Sequence, residues 1–158
     1  MIRVTVDSIR ISLKDPQRVV LLREFEQDRQ LPIFIHATEA DAIAAELKGF
    51  KPPRPLTHDL LKNCLSALGG ELEYVLISDL RDNIFYAVLH VEQDGHAIDV
   101  DARPSDSIAL AVRARVPIFV AEKVMDAAGV HPSREVETEQ ENLSVFRDFV
   151  ETLDLGDS

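Results

Sequence analysis

Cysteine is almost missing from this chain: Cys64 stands alone among 158 residues. No disulfide can form within it, and a reducing compartment is expected. Also missing is any apolar run long enough to cross a bilayer, and the first residues show no charged-then-apolar leader. The expectation is a soluble, cytoplasmic protein without a membrane partner. Positive charge is scarce, with 17 Lys and Arg against 28 Asp and Glu and a formal net charge of −11. That balance argues against a general nucleic-acid-binding module, because such binding draws most of its strength from neutralised phosphates. Much of the acidity lies after Glu122, however, so the body of the chain is milder and a local arginine cluster can still receive phosphate. No phosphate loop, dinucleotide fingerprint, nucleophile elbow or zinc-type cysteine pair occurs, which sets aside the enzyme classes built on them.

What is present is a core. At 158 residues and 46% hydrophobic content, one domain can bury about 70% of its unfolded surface. Ile2, Val4 and Val6 alternate with polar residues, and Ile9, Ile11 and Leu13 do so in the opposite phase, predicting a long strand with a bulge near Asp7 and Ser8. Asp15-Pro16 reads as a turn, Val19 to Phe25 as a returning strand and Leu31 to His36 as a third, in antiparallel succession. A helix opens at Thr38 to Asp41 and stops by Gly49, and the three prolines between Phe50 and Leu56 make an extended arm. Thr57 is the expected cap of a second helix, whose stripe of Leu60, Leu61, Cys64, Leu65 and Leu68 reads as buried, with Cys64 a structural thiol. Glu71 to Leu80, Ile84 to Glu92 and His96 to Arg103 are three strands of a meander, joined by Arg81-Asp82-Asn83 and Gln93-Asp94-Gly95.

The densest chemistry lies between Asp101 and Val120. Period two puts Asp99, Asp101 and Arg103 on one strand face; Pro104 and Ser105 then open a helix with Asp106 against its positive end, and a strand, Val116 to Val120, follows. A similar corner occurs at Arg54-Pro55-Leu56-Thr57-His58-Asp59, and Leu31-Pro32-Ile33-Phe34-Ile35 matches Val116-Pro117-Ile118-Phe119-Val120. Such corners serve structure as readily as chemistry. His58 can act as an acid, base or metal ligand, or only bond backbone at a helix start. Asp99, Asp101 and Asp106 can hold a divalent cation, or pair with Arg103 and a helix terminus. Arg54 and Arg103 can fork onto phosphate, or neutralise these same acids. His36, His90 and His96 lack metal-ligand spacing. Beyond Gly129 the chain breaks at His131-Pro132, runs acidic from Glu135 to Glu141, and recovers helical spacing from Leu143 to Leu153.

The two polar motifs, with Leu31-Pro32-Ile33 and Pro117-Ile118, resemble the bifunctional nuclease domain family from about Ile2 to Val130. The acidic break and last helix resemble the tail of actinobacterial members. The resemblance implies an α+β fold, self-association with a dimer favoured, and cleavage of both RNA and DNA as described for plant members. It also implies a division at residue 130, with a nuclease-like domain over 1–130 and an acidic linker and C-terminal helix over 131–158. The expected fold is a mostly antiparallel, strongly curved sheet packed with three to four helices. The expected function is phosphodiester hydrolysis with nucleic acid as substrate and a divalent cation, Mg²⁺ or Mn²⁺. His58, Asp59, Asp101 and Asp106 are the candidate catalytic residues, with Asp101 and Asp106 holding the metal, and Arg54, Thr57, Arg103 and Ser105 meeting substrate. The rival expectation is a non-catalytic oligomeric regulatory or interaction module of the same fold.

Overall fold

A computed structural model describes residues 1–11 and 17–132. The Asp15-Pro16 turn, the Glu135 to Glu141 acidic run and the Leu143 to Leu153 helix lie outside the described residues. Within them the chain folds as strands β1 (Ile2–Ile11), β2 (Arg18–Glu24) and β3 (Gln30–Ile35), helices α1 (Ala37–Leu47) and α2 (Thr57–Ala67), strands β4 (Glu71–Arg81), β5 (Ile84–Gln93) and β6 (His96–Ala102), helix α3 (Pro104–Ala114), strand β7 (Ile118–Val120) and helix α4 (Glu122–Ala128). This is an α+β fold whose seven strands form one open sheet in the order β3-β2-β1-β7-β4-β5-β6.

Two antiparallel meanders, β1-β2-β3 and β4-β5-β6, are the halves of that sheet, and β7 is inserted between them. It runs antiparallel to β1 and parallel to β4. The expected bulge in β1 is present as a register shift between Val6 and Ser8. Pro32 sits in β3, an edge strand where a missing N–H is tolerated. Asp82 and Asn83 turn β4 into β5 with positive φ of 51° and 63°, and Asp94 and Gly95 turn β5 into β6 with 51° and 79°. These left-handed conformations match the right-handed twist of the flanking strands, and Asx and Gly residues adopt them at least cost.

The core lies between one sheet face and the helices. Val75, Ile77, Ala87, Leu89 and Val91 point into it from β4 and β5, and Ile108, Leu110 and Ala111 meet them from α3. α3 is the central helix, flanked by α1 on one side and α2 on the other. That placement corrects one expectation. Leu60 and Leu61 of α2 and its C-cap Leu68 are 56%, 38% and 75% exposed, and Cys64 is exposed with them; of the stripe only Leu65 packs against the core. The apolar stripe is real, but α2 lies at the flank of α3 and turns most of it outward. Ile98 and Val100, on the core-facing side of edge strand β6, are also open beyond the helix layer.

The expected helix caps are corrected as well. Arg103 occupies the N-cap of α3 with Pro104 at the first position, and Ser105 is buried one residue inside. Leu56, not Thr57, occupies the N-cap of α2, and Thr57 is its first helical residue. Both N-caps are extended residues delivered by Pro-restricted chain, so proline placement rather than a hydroxyl starts these helices.

Candidate functional site

The first turns of three helices converge. α2 offers His58 and Asp59, α3 offers Asp106 beside its N-cap Arg103, and α1 offers Glu39. His58 Nε2 lies 2.9 Å from Asp106 Oδ1, joining motifs 48 residues apart in sequence. Arg103 donates through Nε to Asp106 Oδ2 at 2.8 Å and through Nη2 to Glu39 Oε1 at 2.9 Å. A single line of contacts therefore runs His58, Asp106, Arg103, Glu39. Glu39 Oε2 is buried and lacks a hydrogen-bond partner among the described residues.

The electrostatics of this line follow from its bonds. Burial pushes the Asp106 carboxyl up, but hydrogen bonds from His58 and Arg103 outweigh it and hold the group below its usual range. Hydrogen bonds from Asp106 and Glu39 raise the Arg103 guanidinium above its ordinary value. Asp106 is thus an anion at neutral pH, and an anion only accepts hydrogen bonds. His58 Nε2 is accordingly the donor, and in the neutral ring Nδ1 is left as the basic nitrogen. The His58 side chain is 11% exposed, so the ring is largely removed from bulk water.

Asp59 belongs to a second, structural cluster. Its Oδ2 accepts the Leu56 backbone N–H at 2.9 Å, and its Oδ1 accepts Arg113 Nε at 3.0 Å. Arg113 is 3% exposed and spends its other nitrogens on the carbonyls of Ala109 and Ala42. One guanidinium thereby ties the last turn of α3 to α1 and α2. Neither Arg113 nor Glu39 is singled out by sequence reasoning. The signal for Arg113 was a lone cation at helical spacing among Ala109, Leu110 and Val112, where a charge persists only with partners.

The remaining candidates are dispersed. Register and alternation put Asp101, opposite Val88, on the sheet face turned away from α3, together with Asp99. Asp99 accepts His90 Nδ1 at 2.7 Å, and the His90 ring stacks on Tyr74 with centroids 4.5 Å apart. Arg54 and Thr57 are exposed, and Ser105 is buried. Arg54 borders an open groove of about 280 Å³ at the Pro-rich arm. Among the described residues no three His, Cys, Asp or Glu side chains are gathered to hold a metal ion. Asp106 is already occupied by His58 and Arg103, and Asp101 lies across the sheet from it, so these two carboxylates do not form a shared cage.

A sequence model of the bifunctional nuclease domain matches residues 20–133. An uncharacterised protein of Mycobacterium tuberculosis is 42% identical over 160 residues, covering 98% of this chain and 96% of the relative. Bifunctional nuclease 1 of Oryza sativa subsp. indica is 29% identical over 109 residues, 67% of this chain and 33% of the relative. Bifunctional nuclease 1 of Arabidopsis thaliana is 28% identical over 105 residues, 65% of this chain and 32% of the relative. The matching region thus spans about a third of the plant proteins' length.

Proposed function

The chain belongs to the bifunctional nuclease domain family, and from that premise we propose that it hydrolyses phosphodiester bonds of DNA and RNA at the junction of the first turns of α2 and α3. The observation that carries this reading is the 2.9 Å contact between His58 Nε2 and Asp106 Oδ1. An imidazole fixed through one nitrogen by a carboxylate is arranged to accept a proton on the other. In the proposed reaction Nδ1 of His58 takes a proton from water as the water oxygen bonds to phosphorus and the bridging sugar oxygen departs. Asp106 stabilises the imidazolium so formed, and Arg103 fixes Asp106 by sharing it with Glu39. Arg103 is 56% exposed and Arg54 is exposed too, which suits both for phosphate. Asp59, committed to Arg113 and Leu56, positions α2 rather than touching substrate. Thr57 stands exposed beside His58, within reach of a bound strand, whereas Ser105 braces α3 from inside.

The described residues do not offer a preformed cation cage, and the proton transfer to His58 does not require one. We propose that Mg²⁺ or Mn²⁺ arrives with the substrate phosphates and, when bound, neutralises charge on them; Asp101, on the sheet face turned away from α3, takes no part at this junction. The test is cleavage of single-stranded DNA and RNA by purified protein, with and without each cation, beside His58→Ala of demonstrated fold. Cleavage lowered about 10²-fold or more in the variant is expected. Equal cleavage by both proteins would remove His58 from the chemistry.

A second reading, a non-catalytic interaction module, is favoured by the outward-facing apolar stripe of α2. We propose that this stripe and β6 form the contact between two copies of the chain. Leu60, Leu61, Leu68, Ile98 and Val100 are exposed on the same side of the sheet, and Gln93 Nε2, at the end of β5 where it pairs with the start of β6, donates to the Leu68 carbonyl at 2.7 Å. The patch carries little charge in a chain of net charge −11, so it is where two like-charged copies meet with least repulsion. No helix among the described residues is long and apolar enough to cross a membrane.

A further inference from the structure

The Pro-rich arm between α1 and α2 carries features that the His58 cluster does not use. Its groove of about 280 Å³ is lined by Phe50, Lys51, Arg54 and three prolines, with Asn63 on the α2 side. Phe50 is 58% exposed, and its backbone N–H is anchored on the Ala45 carbonyl at 2.9 Å. An exposed aromatic in this setting is not core. Lys51 and Arg54 are exposed and make no ion pair among the described residues, unlike Arg29, Arg103 and Arg113, which are each held by carboxylates. Two acids border the groove, but Asp59 is paired with Arg113, leaving Glu46 as the one opposing charge among the described residues that line it. Pro52, Pro53 and Pro55 fix much of the backbone, so the ring and the two cations are presented with little ordering left to do on binding.

We propose that this groove binds single-stranded nucleic acid, with one base stacked on Phe50 and the flanking phosphates on Lys51 and Arg54. The inference rests on the nuclease reading for its substrate class and extends it to strandedness. A base reaches the face of Phe50 only when unstacked from its neighbours, which a duplex does not allow without disruption. The groove is also of a size for about one nucleotide, well short of a double helix. The arm runs directly into α2, so a strand seated at Arg54 is led toward His58 four residues on. Asp59 lines the groove and shares the first turn of α2 with His58, which fixes the groove relative to that ring.

The experiment is fluorescence anisotropy of labelled short oligo(dT) and oligo(U), and of a hairpin duplex, in EDTA so that cleavage is separated from binding. Wild-type protein is expected to bind the single strands more tightly than the duplex. Phe50→Ala is expected to weaken single-strand binding by about 5- to 160-fold and leave its salt dependence unchanged, with Phe50→Tyr restoring affinity. Arg54→Ala is expected to flatten the slope of log affinity against log salt by about 0.7. Melting temperatures of the variants should match wild type, since the altered side chains are exposed. No single-strand binding at low salt, or binding indifferent to Phe50→Ala, would overturn the groove. Cleavage with unchanged KM in Phe50→Ala would do so too while leaving the nuclease reading in place; single-strand binding that depends on Phe50 without any cleavage would do the reverse.

Discussion

Asp106→Asn is the substitution that most directly separates chemistry from bracing at the helix junction. The asparagine keeps the shape of the side chain and one acceptor oxygen, but loses the charge and turns an N–H donor toward Arg103 or His58. The bond to His58 is charge-assisted and mostly shielded, which places its contribution at about 1.5–3 kcal/mol. The pair with Arg103, 56% exposed, contributes under about 1 kcal/mol after solvent screening. Because one acceptor survives, the net loss is about 1–3 kcal/mol, or roughly 3–10 °C in Tm for a chain of this length. The cost to turnover should be far larger, about 10²- to 10⁴-fold in kcat, because the ring loses both its fixed tautomer and the anion opposite the imidazolium. The pH dependence gives an internal check. Asp106 is held below its usual pKa in the folded protein, so its contribution is fully present above about pH 4, near the unfolded value. It is lost as pH falls from there through the lower folded pKa. The difference in stability between wild type and Asp106→Asn should therefore shrink on acidification through that range. Nuclease assays together with thermal melts at a series of pH values measure all three effects. A variant that melts lower but cleaves at the wild-type rate would refute the reasoning and leave Asp106 as a brace.

Two further outcomes follow from the packing. Arg113→Ala strips Asp59 of its partner and leaves the carbonyls of Ala42 and Ala109 without that donor, so a loss of about 3 kcal/mol is expected, seen as a Tm lowered by roughly 6–12 °C; a shift under about 2 °C would show that the helices hold together without it. Light scattering coupled to size exclusion should give wild-type protein about twice its chain mass of 17.7 kDa, and Leu60→Ser with Leu68→Ser should return it to the monomer mass without lowering Tm; a wild-type monomer, or a variant that stays dimeric, would remove α2 from the interface.

The strands and turns of this fold were legible because they are local. The alternation of Ile2, Val4 and Val6, its phase change at Asp7 and Ser8, and the Asp82-Asn83 and Asp94-Gly95 turns each state a conformation within a few residues. The repetition of the Arg-Pro corner is visible in the sequence, and the His58 to Asp106 contact joins the two copies. What α2 does with its leucines was not legible. A helical stripe says that one side of a helix is apolar, but not whether the neighbour is this chain's core or something outside it. Likewise Glu39 and Arg113 act through partners 64 and 54 residues away, and no local spacing announces a pair of that span. Thr57 is expected to cap because hydroxyls commonly do, whereas the extended Leu56 before it takes that place.

The position of β7 has a consequence for the order in which this molecule can be assembled. The two meanders are each built from near neighbours in sequence and can form early. Their union waits for residues 118–120, which must pair with residues 2–4 on one side and 75–77 on the other. The pairing of residues 2–4 with 118–120 has the widest sequence separation in the sheet and so its largest loop-closure cost, and the seam at β7 should therefore form late and limit the folding rate. Until it does, β1 and β4 each present an uncovered strand edge. A three-residue strand is therefore the point at which the nascent protein is most open to mispairing, and weakening β7 should raise aggregation during refolding more than it lowers the stability of the finished fold.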